Sequence, residues 1–240
     1  MATGETPPSG AEPERFESDV LAELSPELAL SKLPPGRHSL PRSFITRNQR
    51  FRIVTAMLQV LPQHGYPGTT IGHVTQQAGV SRAAFYQQFE HKEECFLATY
   101  DLAGQWLCER VERAVADEEE WPVRIRTGVS AALRLLATNP AIAHLFAVEA
   151  LQAGPAVRKR QQARLARFAD ALRAGRSARR PDLPAELEEL LLGGALSLIA
   201  RYVDSSRAEQ LPDATAELVQ YLLIPYLEPE ETRRIAAEAT

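Results

Sequence analysis

Two cysteines among 240 residues exclude a disulfide-stapled scaffold. On a shared helix Cys95 and Cys108 would stand roughly 19 Å apart, beyond disulfide reach. Both read as small core or surface residues, with Cys95, three residues after Lys92, open to a mildly acidic pKa. No run approaches the roughly 18 apolar residues a membrane span needs, and the acidic start has neither the basic nor the apolar segment of an export signal. The expectation is a cytoplasmic protein that does not touch membrane. HExxH, CxxC and GxxxxGK[ST] motifs are missing, as is any internal repeat, so no catalytic residue, metal or cofactor is expected and the chain does not read as an enzyme. His144 has Ala147 and Val148 at i+3 and i+4, with Glu149 the nearest carboxylate, and reads as a satisfied imidazole.

What the chain has is 45% hydrophobic residues with abundant Ala, Leu, Glu and Arg, a helical composition that disfavours a β-rich fold. Its formal charge of -4 is unevenly spread. Residues 41–100 carry six Lys/Arg against three acids, whereas both flanking regions are net acidic. A local positive patch suits a partner made of phosphates.

The most informative stretch is 70–89. Ile71, Val74 and Ala78 give a helix over 70–78 one apolar stripe, with Thr70 able to cap it. Gly79 supplies a positive φ that ends the helix, Val80 plugs the corner and Ser81 caps the next helix. In that second helix, taken through Phe89, Phe85 and Phe89 share one face while Ala83 and Gln87 point away, flanked by Arg82 and Tyr86. This is the pattern of a helix-turn-helix that reads duplex DNA. Small Ala83 and Ala84 let the backbone approach base edges. Arg82 matches guanine O6 and N7, Gln87 matches adenine N6 and N7, and Tyr86 can donate to a phosphate. Arg50, Thr70 and Ser81 complete the expected DNA-contacting set.

Gly65-Tyr66, Thr69-Thr70-Ile71, Ala78-Gly79-Val80-Ser81, Phe85-Tyr86, Phe89 and Lys92-Glu93-Glu94 together resemble the N-terminal signature of the tetracycline-repressor-like (TetR/AcrR) transcription regulators. The resemblance covers roughly residues 50–100. It implies an all-α homodimer, three N-terminal DNA-binding helices with the helix from Ser81 in the major groove, and a larger C-terminal domain that senses a ligand and dimerises. It also implies that Tyr86 and Lys92 hold phosphates. Thr75 departs from the family's alanine, so its hydroxyl needs a partner. Pro62 should bend the preceding helix. Gly72 stands where some relatives send a long side chain to a base.

The expected organisation is an extension over 1–40, a helix-turn-helix domain over 41–92 and a helical effector-binding and dimerisation domain over 93–240. Residues 1–13 are too polar to order, and 16–33 could form an amphipathic helix. Arg37, His38 and Arg42 leave two readings, an arm in the minor groove or a solvated linker, of which the linker is favoured. The first domain helix is expected over 43–64 on the stripe Phe51, Val54, Leu58 and Leu61, and a linking helix over 92–118. Body helices follow at 122–138, 140–152, 155–174, 184–205 and 212–227, each with proline at or near its first turn. Arg158, Lys159, Arg160, Arg164 and Arg167 read as a solvent-facing stripe.

The dimer seam is expected at Leu187, Leu191, Gly194, Leu198, Tyr202, Leu218, Tyr221 and Leu222, where apolar surface exceeds what one side can hide. Trp106, Val129, Leu133, Phe146, Glu149 and Tyr202 are the candidate lining of a pocket for a small, apolar effector, against the plainer reading of simple core. The function expected is a DNA-binding regulator, a repressor on a palindromic operator released by ligand. The alternative is a helix-turn-helix interaction module without ligand control.

Overall fold

The computed structural model describes residues 42–176 and 183–238, with side chains from residue 45 onward. The extension over 1–40, its helix at 16–33, and Arg37 and His38 lie outside the described residues, as does the Arg42 side chain. Among the described residues all regular structure is helical.

Helix α1 (Arg42–Gly68) buries Phe51, Val54, Leu58 and Leu61 together with Ile53 and Met57. Its interruption falls at Gly65, whose φ of 62° and ψ of 165° leave helical space, and a short turn follows; Pro62 keeps helical dihedrals. A proline near a helix end loses little where the chain is about to turn, so the glycine sets the break. Against α1 pack α2 (Ile71–Ala78) and α3 (Arg82–Tyr86).

Helix α4 (Lys92–Ala114) joins head to body. Its first two turns belong to the head, where Cys95 and Phe96 are buried and Thr99 Oγ1 donates to Val54 O at 3.3 Å. Beyond Tyr100 it turns Leu107, Cys108 and Val111 toward the body. It ends at Ala114, one turn short of the expected 118.

The body comprises α5 (Trp121–Ala137), α6 (Pro140–His144), a π-helical turn at Leu145–Glu149, α7 (Ala150–Gln152), α8 (Pro155–Arg173), α9 (Leu187–Asp204), a 3-10 segment at Ala208–Ala214, α10 (Thr215–Leu223) and α11 (Pro229–Ala237). Pro122, Pro140 and Pro155 open their helices as expected. Pro184 instead precedes α9 by a turn, and Pro212 sits within the 3-10 segment. The helix expected over 140–152 is broken by the π turn, and α5 meets it at 109°. Helix α11, absent from the sequence expectation, buries only Thr232, Ile235 and Ala236, too short a stripe to stand out. No single helix among the described residues is long and apolar enough to cross a membrane.

One buried ionic knot ties the end of α8 to α9 and to the segment after α10. The fully buried Glu188 accepts from Arg176 Nε and Nη2, both at 2.7 Å, and from Tyr226 Oη at 2.8 Å. Burial alone would push the carboxyl up, but the Arg176 and Tyr226 hydrogen bonds outweigh it and hold Glu188 below its ordinary value. A depressed folded pKa gives stability that is complete above the unfolded value, about 4.3, and is lost as pH falls through the folded one. Urea unfolding midpoints should therefore drop in acid below about pH 4. Glu188→Gln should cost about 2 kcal/mol at neutral pH and flatten that acid limb.

Candidate nucleic-acid interface

The helix-turn-helix is fixed by local chemistry. Thr70 Oγ1 accepts from His73 N at 3.2 Å while His73 Nδ1 accepts from Thr70 N at 3.4 Å, a capping box with histidine in place of the usual acid. Gly79 adopts φ 61°, ψ 41°, the left-handed geometry the corner needs, and Ser81 Oγ caps α3 by accepting from Ala84 N at 3.0 Å. Thr75 finds its partners within its own helix, donating to Ile71 O at 2.9 Å and Gly72 O at 3.1 Å. Arg52 on α1 pins the corner from behind, donating to Ala78 O and to Gly79 O. Nothing in the local sequence around Arg52 distinguishes it from a solvated arginine on a helix.

Helix α3 stops at Tyr86 rather than Phe89, because Gln88 N donates to Phe85 O and tightens the last turn. Phe85 and Phe89 are nevertheless both buried, their ring centres 5.6 Å apart. On the opposite side Ser81, Arg82, Ala83, Tyr86 and Gln87 are exposed, Tyr86 at 57%, and Ala84 is half-buried. The Arg82 guanidinium lies beside the start of α2, where a Cβ at Gly72 would be 3.4 Å from Nη2, an ordinary contact.

Three other expected DNA-contacting groups have protein partners. Arg50 Nη1 donates to Gln88 O at 2.9 Å, and its guanidinium lies over the Phe89 ring. Lys92 Nζ donates to Tyr66 O at 2.7 Å and Thr69 O at 2.9 Å over the Tyr66 ring, and burial lowers its pKa. The Thr70 hydroxyl is committed to its cap.

Behind the head, the 1%-exposed Glu149 at the end of the π turn accepts from Tyr66 N at 2.5 Å, where the chain leaves Gly65. His144 Nδ1 stands 3.4 Å from the other carboxylate oxygen without hydrogen-bond alignment. Glu149 is thus a junction between head and body and does not line the body cavity.

That cavity, about 330 Å3, lies between α4, α5, α8, α9 and α10. Val129, Leu133 and Phe146 are on its wall; Trp106, Glu149 and Tyr202 are not. Trp106 is buried with Arg110 over its ring, and Tyr202 packs under Arg207. Of the basic stripe on α8, Arg160 and Arg167 are exposed as expected, but Arg164 turns inward onto the cavity wall.

The expected dimer seam also divides. Leu191, Leu218 and Leu222 are buried within the protomer, the last two on the cavity wall, because α10 packs onto α5 and α9 packs onto α6, α8 and the π turn. Leu187, Leu198 and Tyr202 pack half-buried against the core. Gly194 and Tyr221 are exposed, as are Leu190 at 69%, Gly193, Ser197 and Ile224. On α9 these fall at i, i+3, i+4 and i+7, one continuous face. A Cβ at Gly194 would meet Tyr221 Oη at 2.3 Å, so a larger residue there would push the exposed Tyr221 ring aside.

Both cysteines are free thiols and buried. Burial pushes the Cys95 thiol up to about 12 and also raises Cys108, in keeping with the core reading of both and against the mildly acidic pKa left open for Cys95. Iodoacetamide at neutral pH should leave Cys95 unmodified by mass spectrometry until denaturant is added.

The family profile described as "Bacterial regulatory proteins, tetR family" matches residues 53–99, which span most of α1 through the first two turns of α4. The nucleoid occlusion factor SlmA of Marinomonas sp. (strain MWYL1) is 30% identical over 104 residues, covering 43% of this chain and 53% of that protein. The chain thus spans about half the length of the curated relatives it matches. Among solved structures, the transcriptional regulator FadR of Bacillus subtilis in complex with stearoyl-CoA superposes with a TM-score of 0.63 at 19% identity, over 72% of this chain and 97% of that one. The fatty acid degradation regulator FadR of Bacillus halodurans superposes with a TM-score of 0.66 at 17% identity, over 73% and 94%. The chain carries the N-terminal domain of the TetR family at its head and is TetR-like in its all-helical fold.

Proposed function

We propose that the chain is a transcriptional regulator that binds a palindromic DNA operator as a homodimer, acts as a repressor, and is released by a small apolar ligand held in the body. The observation that carries this reading is the exposed face of α3. There Arg82, Ala83, Tyr86 and Gln87 stand outward on a helix whose other side is locked by Phe85 and Phe89, inside the family-matched domain. On that face Arg82 and Gln87 have the donor and acceptor sets for guanine and adenine edges, and Tyr86 suits a phosphate. Lys92 keeps one donor beyond the two it gives to carbonyls, and Arg50 buttresses α3 from below.

Dimerisation is supported by the exposed face of Leu190, Gly193, Gly194, Ser197, Tyr221 and Ile224. Ligand control is supported by the size and apolar lining of the cavity, and by stearoyl-CoA in the Bacillus subtilis protein, whose long apolar chain is the type of group such a cavity accommodates. An interaction module without ligand control would leave the cavity unused.

The route from cavity to DNA runs through one short segment. Phe146 forms cavity wall, packs edge-on against Tyr100 at 5.1 Å, and belongs to the same π turn as Glu149. A ligand pressing on Phe146 shifts that turn, draws Glu149 off Tyr66 N, and frees the head to tilt. Two reading helices about 34 Å apart, one DNA turn, then lose their spacing. The test is selection of bound fragments from a genomic DNA pool. Recovery of a palindrome with half-sites about one turn apart is expected, and a pool with no enriched sequence would reject the reading.

A further inference from the structure

We infer that the body cavity selects an alkyl chain ended by an anionic head, and that Arg164 is the residue that makes this selection. The inference rests on the proposed ligand role of the cavity and names the class of ligand.

The wall is hydrocarbon except for a few side chains, and its long polar side chains other than Arg164 are already occupied. Arg124 gives Nε and Nη2 to Glu118 O at 3.0 and 2.6 Å. Arg167 Nη2 pairs with Glu112 at 2.6 Å, and Gln161 Nε2 donates to Phe146 O at 3.3 Å. Among the cationic side chains on the wall Arg164 is the least committed. Its side chain is 17% exposed, and its guanidinium makes a single long hydrogen bond, 3.4 Å to Tyr100 O. The carboxylate nearest to it, Asp101 at 3.6 Å, is shared with Arg160, which approaches closer at 3.2 Å.

A guanidinium has five N–H donors in a planar fork, and a cation taken largely out of water is costly unless those donors are met. Arg164 has most of them unspent while its plane rests over the Tyr100 and Phe146 rings, 4.9 and 5.7 Å from their centres. The backbone is shaped to keep it there: a Cβ at Gly104 would fall 0.6 Å from Arg164 Nη1. Gly104 therefore holds an opening in α4 that the guanidinium fills. A carboxylate, or the thioester and phosphates of a carrier-bound acyl group, supplies the missing acceptors in a bidentate arrangement, while the chain lies among Leu133, Leu165, Ile199 and Leu222. The anion also sits on the Phe146 side of the cavity, against the π turn that leads to Glu149.

Calorimetric titration of the full chain with dodecanoate, lauroyl-coenzyme A and dodecanol tests this, because the ratio of affinities within one variant does not depend on how much of it is folded. The wild type should bind dodecanoate or its thioester at least about tenfold more tightly than dodecanol, and whichever is tighter identifies the source of the head. Arg164→Met should abolish that preference with dodecanol binding kept within about twofold. Gly104→Ala, which displaces the guanidinium without altering it, should reduce the preference in the same direction. No preference in the wild type, or a preference that survives Arg164→Met, would overturn the inference while leaving the DNA-binding reading intact. Failure of all three ligands to bind would overturn it together with ligand control, whereas failure to select any DNA would strike the regulator reading alone.

Discussion

Leu190→Glu is expected to turn a dimer into a monomer without unfolding it. Leu190 is among the most exposed large apolar side chains of the described residues, and it belongs to a face with Gly193, Gly194 and Ser197 on α9 and Tyr221 and Ile224 on α10. At a two-fold interface each side chain is used twice, so the substitution would bury two unpaired carboxylates per dimer. Because the side chain is exposed within the protomer, the substitution should change unfolding free energy by less than about 0.5 kcal/mol when measured on the separated chain. Sedimentation should report one chain's mass, and affinity for a two-half-site operator should fall at least about a hundredfold, since the second reading helix is then no longer tethered to the first. Gly193→Glu is the matched control, because a Cβ there meets nothing within 4 Å of its own protomer. If both variants still sediment as dimers, the interface lies elsewhere.

Glu149→Gln should separate ligand binding from release of DNA. The carboxylate is buried at the end of the π turn and receives the Tyr66 N–H at 2.5 Å, a link between body and head. π turns are stretches with one residue too many for the α ladder, and they can shift register at small cost, which is useful in a segment that must move. Glutamine retains an acceptor for Tyr66 N but removes the charge. The charge-assisted bond is worth about 1 to 3 kcal/mol, and its weakening should loosen the head toward the released state before any ligand arrives. Operator affinity without ligand should then drop several-fold, and the further drop on adding ligand should shrink while the ligand's own affinity changes little. Glu149→Ala, which leaves the Tyr66 N–H buried and unpaired, should show the same loss of coupling and a lower thermal midpoint as well. An unaltered ligand response in both variants would show that the signal takes another path.

The head was legible because its signals are local. Thr70, Gly79 and Ser81 act on backbone within three residues of themselves, and Phe85 and Phe89 face inward by helical period alone. The extent of α3 was less so, since its final turn tightens through a Gln88 to Phe85 bond that no composition rule announces. In the body, the helices opened by Pro122, Pro140 and Pro155 followed their start signals, while the rotation of each helix about its axis depended on neighbours far away in sequence. Leu191, Leu218 and Leu222 share the apolar character of Leu190 and Ile224, yet the neighbouring helices bury the first three and leave the others bare. Glu149 reads as a polar handle for a pocket until α1 brings Tyr66 N to it across 83 positions. Arg164 sits in a stripe of basic residues and is distinguished only by what faces it, a glycine on α4. The one available hint was Asp101, Gly104 and Glu112 running along α4 at helical spacing opposite Arg160, Arg164 and Arg167.

Binding of a selected palindrome by the wild type, Arg82→Ala and Tyr86→Ala at two salt concentrations tests the DNA-reading role of the outward side of α3 most directly. Arg82→Ala should lose about 1 to 3 kcal/mol and relax the base preference at the position it reads. Tyr86→Ala should weaken binding to every sequence alike, and all three proteins should melt together because both side chains are exposed. Wild-type affinity and selectivity in both variants would contradict the assignment of this face to DNA.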